Sequence, residues 1–156
     1  MLVVIVGESC VGKSTLAQRL QALLGGEVYT GKDYLRLAKN EAIAKTLFVR
    51  KLTEAVSGAN LIYVISEQEH LSLIPQDAVV IRMTADLELI LERFALRMRG
   101  NLPQPVRQML ERKHGCFDDL PCAYHIHNSL QIDEVCRDLV KQPDAGKKER
   151  HNWLKN

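Results

Sequence analysis

Residues 1–15 read MLVVIVGESCVGKST, and this stretch decides which fold the sequence predicts. The apolar run at residues 2–6 is rich in β-branched side chains and much shorter than a membrane span, which predicts a strand buried on both faces. Beyond it, leucines recur at helical spacing, at Leu16, Leu20, Leu23 and Leu24. The stretch therefore predicts a strand, a glycine-containing turn and a helix, in that order.

The turn between the predicted strand and helix matches the pattern G-x-x-x-x-G-K-[ST], with Gly7, Gly12, Lys13 and Ser14 in the fixed positions. Glycine permits backbone conformations that a Cβ forbids, so successive N–H groups can point inward at a phosphate, aided by the positive end of the helix. In this motif the lysine binds the β- and γ-phosphates, and the serine hydroxyl ligates Mg²⁺. A chance match on a surface turn is the alternative, which the flanking strand and helix disfavour.

The segment is therefore predicted to bind Mg-ATP. Lys13 is predicted to be catalytic because it adds a mobile cation beside the β- and γ-phosphates, and Ser14 is a predicted metal ligand. The predicted nucleotide-binding residues of the turn are Gly7, Glu8, Ser9, Cys10, Val11, Gly12, Lys13, Ser14 and Thr15.

The composition is typical of one globular domain. The chain has 156 residues, of which 46% are hydrophobic, enough for a core without disulfides or metals. A net charge of +2 is too weak to indicate nucleic-acid or membrane binding, and no stretch approaches the about 20 apolar residues of a membrane helix. The four cysteines form no C-x-x-C pair, so we expect reduced thiols and a cytoplasmic protein. We expect a monomer or a homodimer.

The apolar pattern predicts five strands, and helices lie between them. The predicted strands are residues 2–6, 27–30, 61–65, 78–83 and 123–127. A first helix ends near residues 25–26, and further helices are predicted from residue 32 onward and at residues 41–56, 86–99, 106–113 and 131–140. Residues 66–77 are predicted to hold a short loop or helix.

Strands that alternate with helices predict a three-layer α/β/α domain around a parallel five-stranded sheet. In such sheets ligands bind beyond the carboxyl ends of the strands. The turn at residues 7–14 and the segments after Thr30, Ile65 and His127 are therefore expected to face one crevice. We expect the domain to span residues 1–141, followed by a basic tail or short helix at residues 142–156.

With these segments in order, residues 1–141 resemble the small phosphate-loop kinases, a group that includes nucleoside monophosphate kinases and shikimate-kinase-like proteins. The resemblance implies a phosphate-loop NTPase fold with a short lid at about residues 99–113. It also implies an enzyme that moves the γ-phosphate of Mg-ATP to a small acceptor, either a nucleoside monophosphate or a small alcohol.

Residues 30–36, TGKDYLR, look like the T-G-D-x-L-R segment of adenylate kinases with one inserted residue. The resemblance implies that Arg36 binds the acceptor phosphate and that Asp33 lies near the metal and the acceptor. There Asp33 would orient a hydroxyl or hold Mg²⁺ through water, which makes it a candidate catalytic, substrate-binding and metal-binding residue. The alternative is that Asp33 caps a helix and that Arg36 is solvated.

Residues 92–100, ERFALRMRG, resemble the lid entry of these kinases. Arg93 and Arg97 are four residues apart and lie on one helix face. The resemblance implies that Arg97 is catalytic and reaches the transferred phosphate, and that Arg93 binds substrate. The alternative is a cationic helix end favoured by the helix dipole and by pairing with nearby glutamates. Asn128, in the turn after the last strand, is implied to pack against the base or to start a helix.

One departure from the family pattern leaves other functions open. The third predicted strand is followed by Ser66 and Glu67, where many phosphate-loop proteins carry an aspartate for the metal shell. A nucleotide hydrolase or switch and a non-catalytic nucleotide-binding module therefore remain alternatives to a kinase.

Overall fold

The computed structural model describes residues 1–142, so nearly all of the predicted basic tail lies outside the described residues. The strands are β1 (Leu2–Gly7), β2 (Glu27–Thr30), β3 (Leu61–Ile65), β4 (Val79–Met83) and β5 (Tyr124–Ile126). The α-helices are α1 (Lys13–Leu24), α2 (Glu41–Ala55), α3 (Leu87–Arg97), α4 (Gln104–Lys113) and α5 (Leu130–Lys141). Two short 3-10 helices cover Asp33–Leu37 and Gln68–Leu73.

The five strands form one parallel sheet in the order β2-β3-β1-β4-β5. The predicted three-layer α/β/α fold with a parallel five-stranded sheet is confirmed. Strand β1 is central, and Val4 on it pairs with Tyr63 of β3 and Val80 of β4. All six residues of β1 are buried, which explains why its sequence is continuously apolar rather than alternating.

Alternate residues of β1 enter two different cores, one on each face of the sheet. Val3 and Ile5 pack with α1, α3, α4 and α5 through side chains such as Leu16, Ile90 and Leu139. On the other face, Val4 and Val6 join α2 and both 3-10 helices, in a core that includes Ala44, Phe48, Leu52, Tyr34 and Leu73. Helices on both faces leave the carboxyl edge of the sheet open for a site.

The sequence predictions for the connections need two corrections. The segment after Thr30 is a 3-10 helix, Asp33–Leu37, rather than an α-helix. Helix α4 begins at Gln104, earlier than predicted, because a proline is tolerated in the first helical turn. Residues 66–77, for which a short loop or helix is predicted, do contain a short helix, the 3-10 helix Gln68–Leu73. Within residues 1–142, no helix has both the length and the apolar character to span a bilayer.

Phe48 on α2 is the centre of an aromatic cluster. Its ring centroid lies 5.0 Å from that of Tyr29, 5.4 Å from that of Tyr34 and 4.8 Å from that of Tyr63. Because these rings come from β2, the first 3-10 helix and β3, the cluster fixes α2 against the edge where residues 30–37 leave the sheet. Offset and edge-to-face aromatic contacts stabilise beyond their buried area.

Phe48→Ala is expected to lower the free energy of unfolding by about 3–5 kcal/mol, because it removes a fully buried ring and leaves a cavity. Urea denaturation followed by circular dichroism measures the change. Ile43→Ala is the control, since Ile43 lies on the same helix with 55% of its surface exposed. Equal losses for the two variants would contradict the assigned role of the cluster.

Candidate active site

The turn at residues 7–14, called the phosphate loop from here on, leaves the carboxyl end of β1 at Gly7. A Cβ on Gly7 would lie 2.6 Å from the carbonyl oxygen of Met83 and 2.7 Å from Cγ2 of Val11. Only glycine therefore lets the loop pass so close to β4. Cys10 and Gly12 have φ angles of 65° and 100°, in the left-handed region. These conformations bend the chain from β1 into α1, which starts at Lys13.

Lys13 is the buried cation of the loop, with 7% of its surface exposed. Its Nζ donates a hydrogen bond to the carbonyl oxygen of Glu8, and it forms no ion pair with any residue of the described part of the chain. Burial lowers its pKa from 10.5 to about 8, and the nearby charge of Arg97 also lowers it, whereas Cys10 acts in the opposite direction. A desolvated cation without a carboxylate partner favours the binding of an anion.

The Glu8 side chain has a role that the sequence did not indicate. Its buried carboxylate lies 3.1 Å from Nδ1 of His114 and accepts a hydrogen bond of 3.3 Å from the backbone N–H of Gly115. Glu8 thus ties the segment that follows α4 to the phosphate loop, while its own carbonyl holds Lys13. No short motif marks this contact, because the partners are more than one hundred residues apart.

Arg93 and Arg97 both line a cleft of about 620 Å³ beside the phosphate loop. Arg93 donates a hydrogen bond of 2.9 Å to the carbonyl oxygen of Cys10, so it supports the backbone of the loop. Arg97 lies near enough to Lys13 to lower its pKa. The structure therefore brings the two predicted arginines together with Lys13. The other walls of the cleft are largely apolar, with Val11, Leu89, Leu96 and Ile132 among their residues.

A polar cluster between β4 and β5 adjoins this cleft and contributes Thr84 and His127 to its lining. The hydroxyl of Thr84 lies 2.7 Å from Nε2 of His125 and 2.7 Å from Nδ1 of His127. Nε2 of His127 is in turn 3.4 Å from a carboxylate oxygen of Asp86. The two histidines are two residues apart on β5 and its end, a spacing that places them on one side of a strand. Only the tertiary structure supplies Thr84 as their common partner.

Asn128 follows β5 and lines the same cleft as the arginines. Its side-chain oxygen accepts a hydrogen bond of 3.0 Å from the N–H of Leu130, at the start of α5. Oε1 of Gln131 accepts hydrogen bonds from the backbone N–H groups of His127 and Asn128. Both interpretations of Asn128 are thus compatible with its position, since it helps to start a helix and faces the cleft.

The two predicted metal ligands, Ser14 and Asp33, lie on different elements of the fold. Ser14 is exposed in the first turn of α1. Asp33 is exposed after β2, where its Oδ2 accepts a hydrogen bond of 2.9 Å from the N–H of Thr30. Among residues 1–142, no three His, Cys, Asp or Glu side chains form a group that could hold a metal. Mg²⁺ does not require such a group, because it is usually bound through one or two protein ligands plus phosphate oxygens and waters.

Arg36 does not join the other arginines. The carbon of its guanidinium lies 4.3 Å from the centroid of the Tyr29 ring. The contact with Tyr29, followed by the charges of Asp33 and Glu27, raises the pKa of Arg36 above its usual value. Arg36 thus lies along the edge strand β2, where the structure shows no contact between it and the phosphate loop.

Comparison with known proteins decides the fold type. No protein-family model matches the sequence, and no curated protein matches it. Shikimate kinase from Acinetobacter baumannii, solved in complex with shikimate, aligns with a TM-score of 0.59 and 19% identity over 94% of each chain. The chain has the fold of the small phosphate-loop kinases. This kinase fold is the one that the resemblance in residues 1–141 implied.

Two further structures with the kinase fold carry different names. A gluconokinase from Sinorhizobium meliloti 1021 aligns with a TM-score of 0.57 and 13% identity, over 98% of this chain and 94% of that one. Deoxyadenosine kinase from M. mycoides aligns with a TM-score of 0.52 and 16% identity, over 89% and 98%. Because proteins named for such different acceptors share the fold, the fold alone does not select an acceptor.

The buried Lys13 is expected to make the ATP binding predicted from the sequence depend on pH. Because the pKa of Lys13 in the free protein is about 8, its ammonium is lost as the pH rises through that value. The Kd of a fluorescent ATP analogue should be constant near neutral pH and should rise about tenfold per pH unit above the pKa. Lys13→Arg is the control, since arginine stays charged and should flatten the profile. A flat profile for the wild type would contradict the assignment.

Proposed function

We propose that this protein is a small-molecule kinase that moves the γ-phosphate of Mg-ATP to a small acceptor. The observation that carries the proposal is the buried ammonium of Lys13, which has no carboxylate partner in the described chain and lies in a glycine loop at the carboxyl edge of the sheet. A triphosphate would supply the negative charge that the buried ammonium lacks. The kinase fold of the comparison structures supports the same conclusion.

The residues near Lys13 fit an ATP molecule. The backbone of residues 7–15 and the amino end of α1 would hold the triphosphate, and the cleft of about 620 Å³ has room and apolar walls for a nucleoside. Ser14 would ligate Mg²⁺, and Asp33 would reach the ion through water. When bound, Mg²⁺ would neutralise charge on the β- and γ-phosphates.

The transfer itself needs positioning and charge stabilisation rather than a reactive side chain. The bond between the γ-phosphorus and the bridging oxygen of ADP breaks, and a bond forms to the acceptor oxygen. Lys13 and Arg97 would stabilise the charge spread over the phosphate oxygens, while Arg93 keeps the loop in shape through Cys10. If the acceptor is an alcohol, its proton passes to Asp33; an acceptor phosphate needs no such base.

A specific observation favours the alternative of a non-catalytic nucleotide-binding module. The position after β3 carries Ser66 and Glu67 rather than an aspartate, and Glu67 already pairs with Lys113 at 3.2 Å. A carboxylate held in that way is less available to a metal shell. The same departure leaves a hydrolase or switch as the other alternative.

Formation of ADP from ATP in the presence of an acceptor panel tests the proposal. The panel contains nucleoside monophosphates, sugars, sugar acids and amino alcohols, each assayed with Mg²⁺ and a coupled ADP readout. A kinase should release ADP only with an acceptor, and Lys13→Ala should lower that rate by about a hundredfold or more. Release without any acceptor would favour the hydrolase, whereas ATP binding without any release would favour the non-catalytic module.

Arg97 should act mainly on the transition state. We expect Arg97→Ala to lower kcat by about a hundredfold with less than about a threefold change in the Kd of ATP, because its guanidinium is proposed to meet the phosphate during transfer. Arg137→Ala on α5 is the control, since Arg137 is an exposed arginine that does not line the cleft. An equal loss of ATP affinity and kcat would instead assign Arg97 to ground-state binding.

A further inference from the structure

Between α4 and β5 the chain crosses from one face of the sheet to the other. Leu110 of α4 is buried in the core that contains α1, α3 and α5, whereas Phe117 is buried in the core that contains α2. Residues 114–116, called the crossing segment here, lie between them and contact Glu8, which directly follows β1. The crossing therefore takes place at the carboxyl edge of the sheet, beside the phosphate loop.

Two hydrogen bonds from other elements hold the crossing segment and the residues that follow it. The side chain of Gln68, in the second 3-10 helix, donates a hydrogen bond of 3.0 Å to the carbonyl oxygen of Cys116. Arg82 of β4 donates to the backbone carbonyl oxygen of Asp118, two residues further along the chain. Both contacts lie at the carboxyl-terminal end of the segment. Its amino-terminal half contacts the phosphate loop instead.

Glu8 is the residue of the phosphate loop that holds the crossing segment. Its side chain is 10% exposed, and its two carboxylate oxygens have separate partners. Oε1 lies 3.1 Å from Nδ1 of His114, and Oε2 accepts a hydrogen bond of 3.3 Å from the backbone N–H of Gly115. Gly115 has a φ of 81°, in the left-handed region that favours glycine. Since a buried carboxylate is costly unless it is hydrogen-bonded, Glu8 and the crossing segment fix each other.

The carboxylate of Glu8 is an unfavourable neighbour for a triphosphate. Burial lowers the pKa of Lys13 and the charge of Glu8 acts in the opposite direction, so Glu8 lies close to that ammonium. The same charge would repel the phosphates that Lys13 is proposed to bind, since like charges repel more strongly in a desolvated site. ATP binding alone therefore does not account for a carboxylate at this position, whereas its two contacts with the crossing segment do.

The crossing segment lies beside the place proposed for the γ-phosphate, because Cys116 at its end also acts on the charge of Lys13. Water that reaches this place competes with the acceptor, and a closed site prevents that side reaction. We propose that Glu8 is a positioning residue, which holds the crossing segment against the phosphate loop and so keeps water from the γ-phosphate during transfer. This inference depends on the proposed kinase function.

The side reaction that Glu8 suppresses is the hydrolysis of ATP. If water enters, its oxygen forms the bond to the γ-phosphorus in place of the acceptor oxygen. The bond to the bridging oxygen of ADP breaks, and inorganic phosphate and a proton are released. The division of ATP between hydrolysis and transfer therefore reports the position of the crossing segment, and a residue that served only the stability of the fold would not change it.

The ratio of ATP hydrolysis to phosphoryl transfer tests the inference on the full chain, with Mg-ATP and the best acceptor of the panel near neutral pH. Glu8→Ala should raise this ratio at least about tenfold. It should change the Kd of ATP less than about threefold, because the backbone carbonyl of residue 8 still accepts from Lys13. Glu8→Gln keeps an amide oxygen for Gly115 and an N–H for His114, so its ratio should stay within about threefold of the wild type. Glu134→Ala, at an exposed position of α5, is the matched control and should leave the ratio unchanged.

Hydrogen exchange measured by mass spectrometry follows the crossing segment without turnover. The non-hydrolysable analogue AMP-PNP with Mg²⁺ should slow the exchange of residues 113–118 at least about threefold in the wild type and should not slow it in Glu8→Ala. An unchanged ratio of hydrolysis to transfer in Glu8→Ala would overturn the inference while leaving the kinase proposal intact. If no acceptor supports ADP release by the wild type, the kinase proposal fails. Equal slowing of exchange in the wild type and Glu8→Ala would then overturn the role of Glu8 as well, whereas slowing confined to the wild type would support it.

Discussion

The ammonium of Lys13 is the charge on which the candidate site depends. It is buried, and its hydrogen-bond partner is a neutral oxygen, the backbone carbonyl of Glu8. A cation held in this way is costly until an anion arrives, and burial therefore lowers its pKa. The tight passage of Gly7 beside Met83 and the left-handed conformation of Gly12 are the backbone features that allow Lys13 to occupy this place.

Two segments distant in the sequence support the loop that carries Lys13. Arg93 of α3 donates to the carbonyl of Cys10, and Glu8 accepts from Gly115 after α4. These contacts connect the loop to both ends of the segment that forms the short lid in the predicted domain. Movement of α3 or α4 would thus change the loop directly, since each of these hydrogen bonds ties a charged side chain to a backbone group of a distant segment.

The fold was predictable because its signals are local. The continuous apolar run of β1 and the leucine spacing of α1 follow from burial and from helix geometry, and both are visible in the sequence. The 3-10 helix at Asp33–Leu37 was not predicted, because its packing depends on Tyr34 stacking against Phe48 of a later helix. Likewise, Arg93 could be placed on a helix face, but its partner Cys10 is separated from it by most of the domain.

The sequence by itself determined the phosphate loop, the order of strands and helices, and the candidate residues Lys13, Arg93 and Arg97. These features depend on the spacing and the type of residues, and both can be read directly from the sequence. Tertiary structure alone decided that Arg36 lies on Tyr29 and that Glu67 pairs with Lys113. Such pairings join distant segments, and an ion pair or stacking contact forms only where packing brings its members within a few ångströms.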